Sequence, residues 1–150
     1  MSDPSAWLLD VNVMVALLDP GHIHHEAAHR WWAEQAGKPW ATCTVTESGL
    51  VRVLTQPRYP NRVESVEAAV LLLSRWKNVH RSTHRWWPLD VSLTDATVFA
   101  PERLAGSGQV TDACLLALAQ RRGGRLASFD RALPWEAVVS GSRKLIELLS

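Results

Sequence analysis

Four acidic residues, far apart in the chain, each stand where a hydrophobic segment meets a helix or a loop: Asp10 in WLLDVNVMVALL, Glu47 in TCTVTESGLVRVL, Asp112 in QVTDACLLALAQ and Asp130 in LASFDRAL. An ionised carboxylate beside apolar neighbours is costly unless paired or metal-bound, and several together repel one another and raise their own pKa values. A hard divalent cation removes both penalties. Mg²⁺ or Mn²⁺ suits an all-oxygen site, because Mg²⁺ takes one or two carboxylates, keeps several waters and leaves room for a phosphate oxygen. The chemistry expected of such a set is metal-assisted hydrolysis of a phosphodiester.

Each acid also has a structural reading. Thr44-x-x-Glu47 matches a capping box, in which threonine accepts from a helix amide and glutamate reaches back. Asp112 follows Thr111 at a helix start, where the macrodipole favours an acid, and Asp130 begins a turn before Pro134. Asp10 is the hardest to explain this way, because it interrupts an apolar stretch and strand interiors are depleted in aspartate. Asp90 and Asp95 fit the same positional description, so position alone does not choose four.

The elements that must position these residues read as alternating strands and helices. Ala6 to Leu9 is a strand ending at Asp10, and VNVMVALL turns into a helix stopped by Asp19, Pro20 and Gly21. A helix is expected over 22–37, a short strand over 39–43, and helices over 45–54 and 63–76. RWWPLDVSL reads as a strand leading to a helix from Ser92 or Thr94 toward Leu104. VTDACLLALAQRRGG is a helix, RLASF a strand and LIELL an edge strand. Such alternation implies right-handed βαβ crossovers and a mostly parallel sheet covered on both faces, an α/β/α sandwich. Ligands of these sheets sit outside the carboxyl ends of the strands, where Asp10 and Asp130 fall, with Glu47 and Asp112 in the first turns of adjacent helices.

The totals narrow the classes. A length of 150 residues with 47% hydrophobic and 21% charged side chains fits one domain over 1–150. The net charge of +1 provides no global positive field, which argues against strong non-specific DNA binding and asks any nucleic acid to meet a local basic surface. Cys43 and Cys114 form no paired framework, MSDPSAW lacks the features of a signal peptide, and no apolar run approaches a membrane span, so a soluble cytoplasmic protein is expected.

Taken together, Asp10-Val-Asn12 after the first strand, Thr44-x-x-Glu47-x-x-x-x-Arg52, Thr111-Asp112 opening an apolar helix, and Ser128-Phe-Asp130 after a late strand resemble the PIN-domain ribonucleases, and more narrowly the VapC toxins of bacterial toxin–antitoxin pairs. The resemblance spans nearly the whole chain. It implies a PIN-like fold in which Asp10, Glu47, Asp112 and Asp130 form an acidic Mg²⁺ (or Mn²⁺) site, Asp10 and Asp112 being the usual direct ligands and the fourth acid the most variable. Asn12 and Ser128 would be polar supports, with Thr44 and Thr111 beside them. It further implies an endoribonuclease that hydrolyses RNA with metal-activated water, Glu47 or a neighbour taking the proton. A homodimer and a cognate VapB-type antitoxin, whose C-terminal segment lies along the groove, are implied as partners.

Two other classes compete. His25-Glu26-Ala27-Ala28-His29 is a literal HExxH on an expected helix, the pattern of a zinc metalloprotease, but Trp32 and Gln35 stand where the extended motif needs glycine and a third ligand. The other is a non-catalytic interaction domain whose acids only cap helices. Seven basic side chains between Arg52 and Arg85, interleaved with Tyr59, Trp76, Trp86 and Trp87, offer contacts for phosphates and unpaired bases. Eight tryptophans exceed what a small core readily takes, which points to contact with another protein.

Overall fold

In the computed structural model, which describes residues 6–150, the first apolar run forms β1 (Trp7–Leu9) and Asp10 turns the chain into α1 (Val11–Leu18). There follow α2 (His25–Glu34), β2 (Trp40–Thr42), α3 (Thr44–Thr55), α4 (Val66–Val79), β3 (His84–Trp86), α5 (Val110–Arg121), β4 (Arg125–Ser128) and β5 (Ile146–Leu148). These strands make one sheet in the order β3-β2-β1-β4-β5 with every pairing parallel. Trp7 stands opposite Trp40 on one side and Arg125 on the other, which fixes the register of the three central strands.

A parallel sheet must be covered on both faces, and the two-residue side-chain period divides the core accordingly. Leu8, Ala41 and Leu126 point into a cluster with Leu115, Leu116 and Leu118 of α5. Leu9, Trp40 and Ala127 point the other way, against Met14 of α1, Trp31 of α2, Leu50 and Leu54 of α3 and Leu73 of α4. The expected α/β sandwich is therefore observed, with a fully parallel sheet. Among the described residues no helix is long and apolar enough to cross a membrane.

At the amino ends of the strands an aromatic group closes the sheet. Trp40 lies 4.6 Å, centroid to centroid, from both Trp76 and His84, and 5.1 Å from Trp32, whose ring also meets His80. Much of the tryptophan content is thus packed inside the molecule. Of the adjacent pair, Trp87 is buried and Trp86 is exposed, as the alternation of a strand requires.

The stretch after β3 differs from expectation. No α-helix forms between Ser92 and Leu104; only a short 3-10 turn occurs, at Pro101–Arg103. Asp95 Oδ1 accepts both from the Thr97 amide (2.9 Å) and from the Thr97 hydroxyl (2.6 Å), so the segment expected to enter a helix from Ser92 or Thr94 closes a local turn instead. Phe99 then forms an isolated bridge with Val138, and Pro101 permits only one turn after it.

The capping expectation for α3 also changes. Cys43 is the cap residue, and Thr46 reaches back, accepting from the Cys43 amide and donating to its carbonyl, each at 3.0 Å. Glu47 is left free of that duty.

Candidate active site

β1 and β4 are neighbours, so the residues that leave their carboxyl ends, Asp10 and Ser128–Asp130, are brought together. Asp10 is the N-cap of α1, its Oδ1 accepting from the Val11 amide at 2.8 Å. The buried Ser128 hydroxyl is the joint between the two segments. It donates to Asp10 Oδ2 (2.7 Å) and accepts from Asn12 Nδ2 (3.1 Å) and the Asp130 amide (3.0 Å), the full capacity of one hydroxyl. Asn12 Oδ1 in turn accepts from the Phe129 amide at 3.1 Å. Asp130 Oδ1 accepts from the Ala132 amide at 2.8 Å and shapes its own turn.

Asp112 enters from the first turn of α5. Together with Asp10, Thr44, Ser48, Arg52 and Thr111 it lines a cleft of about 530 Å³ between α3 and α5. Burial first, and the charges of Asp10 and Asp130 second, push the Asp112 carboxyl up to about 6. Burial also raises Asp10, against the lowering effect of the bonds from Ser128 and Val11, and the Asp130 charge adds to the rise. No basic side chain pairs with any of these three aspartates among the described residues.

Glu47 is held differently. Its Oε2 accepts from Lys77 Nζ at 2.8 Å and from Thr42 Oγ1 at 2.7 Å, and it does not line the cleft that Thr44, Ser48 and Arg52 face from the same helix. Because the one Thr42 proton goes to Glu47, His84 Nε2, 2.8 Å from Thr42 Oγ1, must be the donor in that contact. Burial, then the Lys77 charge, lowers the His84 ring to about 4, so it is neutral near pH 7. The structure thus gathers Asp10, Asp112 and Asp130 into one electrostatic field and ties Glu47 to Lys77 and Thr42.

The decoys fall away. Asp90 pairs with Arg121 and Arg122, and Asp95 is consumed by Thr97. The HExxH imidazoles serve α1: His25 Nδ1 lies 2.7 Å from the Ala16 carbonyl and His29 Nε2 lies 2.9 Å from that of Leu17, satisfying carbonyls that a helix end leaves open. Among the described residues no three His, Cys, Asp or Glu side chains are grouped so as to hold a metal ion. Catalytic zinc requires three protein ligands, whereas Mg²⁺ needs only one or two carboxylates, and both imidazoles of the HExxH pattern are engaged by carbonyls of α1.

The PIN domain family profile matches residues 7–135, most of the chain and all four acids. The chain belongs to the PIN-domain family. Within that family it belongs with the VapC ribonuclease toxins. Ribonuclease VapC44 of Mycobacterium tuberculosis is 43% identical over 142 residues, which cover 95% of this chain and 98% of VapC44. Ribonuclease VapC38 of the same species is 44% identical over 123 residues, 82% of this chain and 84% of that protein. The crystal structure of Mycobacterium tuberculosis VapC20, described as a sarcin–ricin loop cleaving toxin, shares the fold with a TM-score of 0.56 at 17% identity, over 83% of this chain and 88% of that one. The α/β fold is thus that of a PIN-domain chain, and the ribonuclease relatives leave the interaction-domain alternative without support.

Reading the sequence did not single out Lys77 or Thr42 as partners of Glu47. Thr42 carries a weak signal, a polar residue closing a buried strand, whereas Lys77 lies 30 positions from Glu47 and nothing local connects them. Arg52 stood among seven basic residues and closed the Thr44-x-x-Glu47-x-x-x-x-Arg52 string, and the cleft now gives it a place beside the acids.

Proposed function

We propose that this PIN-domain chain is a divalent-metal-dependent endoribonuclease, one nuclease domain over 1–150, whose cation is held by Asp10 and Asp112 with Asp130 beside them. The carrying observation is that Asp10 and Asp112 line one cleft, both with carboxyls raised by burial and by neighbouring aspartate charge, and among the described residues no basic side chain pairs with them. That is a donor set fitted to Mg²⁺ or Mn²⁺. When bound, the ion supplies Lewis-acid polarisation of the phosphate and a more acidic water.

The chain's own residues do the rest. Ser128 and Asn12 fix the Asp10 carboxylate and the Asp130 turn, so the oxygens are preorganised before any cation arrives. Thr44 and Thr111 line the cleft as polar neighbours, and Arg52, its basic wall, is placed to hold a phosphate of the RNA. Glu47 has one oxygen fixed by Lys77 and Thr42, and its proposed role is to accept the proton of the attacking water.

The same proposal includes a cytoplasmic location, a VapB-type antitoxin and a homodimer. Two free cysteines suit a reducing compartment. Exposed Val66 and Val70, one turn apart on α4, offer an apolar face for a second protein surface.

RNA cleavage by purified Asp10→Asn, Asp112→Asn and Glu26→Gln proteins in Mg²⁺ tests the reading. The first two should lose about 10²- to 10³-fold in rate, the scale of removing an electrostatic partner of the transition state. Glu26→Gln should cleave normally. Full activity in Asp10→Asn would falsify the metal site.

A further inference from the structure

Beyond Asp130, on the side of the sheet away from Arg52, lies a second hollow of about 530 Å³ that the chemistry above does not use. Its walls come from segments following β4 and flanking β5, with Arg131 directly after Asp130, Arg143 from the turn before β5, and Arg103 from the 3-10 turn at Pro101–Arg103. Asp130 is a wall of this hollow and its charge also acts on Asp112 in the cleft, so the hollow opens beside the acidic rim.

Three guanidinium groups thus share one concave space, and none of them makes an ion pair among the described residues. Arg103 reaches only the Glu136 carbonyl, at 3.4 Å, and Arg143 lies 5.9 Å from the centre of the Trp135 ring. Asp130 and Glu136 offset part of the positive charge. Leu148, 47% exposed on the edge strand, leaves an apolar patch beside the arginines.

A planar fork of donors matches a phosphate bidentately, and an aromatic face beside it accepts an unpaired base. The volume lies within the roughly 300–1,000 Å³ of small-ligand sites. We propose that this hollow is a subsite for one single-stranded nucleotide next to the scissile bond, its phosphate held by Arg103 and Arg143 and its base against Trp135. An RNA strand crossing the acids from Arg52 then continues past Asp130 into the hollow. The inference rests on the Asp10–Asp112–Asp130 rim being the cleaving centre.

The test measures binding without turnover, in the Asp10→Asn protein, where asparagine keeps the helix cap. A labelled single-stranded RNA of roughly ten nucleotides is titrated by fluorescence anisotropy at several salt concentrations. Adding Arg103→Gln and Arg143→Gln should raise Kd about 10-fold or more and flatten the log Kd against log salt slope by about 0.7 for each phosphate that is no longer neutralised. Trp135→Phe should weaken binding several-fold with the slope unchanged. Arg30→Gln with Lys38→Gln, an equal charge change on α2 and the loop after it, should do neither.

Arg103, Arg131 and Arg143 are exposed, so the arginine variants should melt with the parent, and single Arg103→Gln or Arg143→Gln carries the test if the double variant does not. Unchanged affinity and slope in the double variant overturn the subsite, as does an equal effect of the Arg30/Lys38 control, or a loss confined to binding of an acidic protein partner. The rim reading fails separately, by RNA cleavage persisting in Asp10→Asn.

Discussion

Replacing Asp112 by asparagine should make the metal-free protein more stable while removing its activity. The carboxyl is raised from 3.8 to about 6, so at neutral pH its ionised form is disfavoured in the folded state. At about 1.4 kcal/mol per tenfold change, the ceiling of that penalty is about 3 kcal/mol. The side chain is only half-buried, so solvent screening reduces this to about 1.5 kcal/mol. Against it, an acid in the first turn of α5 gains about 0.5 kcal/mol from the helix dipole, which asparagine forfeits.

The net expectation for Asp112→Asn is a gain of about 1 kcal/mol, or about 2–4 °C in Tm for a chain of this size. The sign with pH follows from a folded pKa above the unfolded one. The penalty is complete above about 6, shrinks as pH falls through that value and vanishes below 3.8. His84 works in the opposite direction over an overlapping range, its ring lowered to about 4, so stability is lost as pH falls from 6.5 toward 4. Both proteins carry His84, and the difference between them isolates Asp112.

Differential scanning calorimetry in EDTA at pH 7.5 and pH 4 reads this directly. Saturating Mn²⁺ should then reverse the order, because the ion stabilises the parent by about 2.7 kcal/mol at a hundred times its Kd and the variant much less. A metal-free variant no more stable than the parent at pH 7.5, or an advantage that persists undiminished at pH 4, would show that burial and aspartate repulsion do not govern this carboxyl.

Ser128→Ala leaves Asp10 Oδ2, Asn12 and the Asp130 amide each short of a partner, so stability should fall by about 2 kcal/mol in urea titrations and cleavage by about 10- to 100-fold, with intact rates refuting the joint role. Lys77→Met removes the charged partner of Glu47, in a pair 29% and 20% exposed, and should cost about 1–2 kcal/mol. Lys77→Arg should recover part of that loss; equal midpoints for all three proteins would mean that the pair is idle. Gly49→Ala would set a Cβ 2.5 Å from Val11 Cγ2, pressing α1 away from α3, and an overpacking cost of about 1–3 kcal/mol is expected, to be checked against Gly108→Ala, where the added carbon meets nothing.

The alternation of apolar runs and helical patterns gave the sheet class, the helix order and the placement of Asp10 and Asp130 at strand ends, because burial of both faces leaves a strong local imprint. The stretch from Ser92 to Leu104 misled because Asp95 and Thr94 have the composition of a helix start, and only the competing Thr97 contacts, with Pro101 beyond, decide for a turn. At the candidate site, the position of Asp112 was legible from the apolar helix whose first turn it occupies. The tether between Glu47 and Lys77 was not, since it depends on how α4 lies against α3. The arginine hollow was equally hidden, its members contributed by three turns that have no shared sequence pattern.

The aromatic group at the amino ends of the strands lies at the opposite edge of the sheet from the aspartates. Indole rings this close couple their electronic transitions, so the near-ultraviolet circular dichroism of the chain should be dominated by Trp32, Trp40 and Trp76. The molecule therefore has a native optical gauge of how α2 and α4 seat on the sheet, and substitutions at the acidic rim can be checked for intact architecture without attaching a dye.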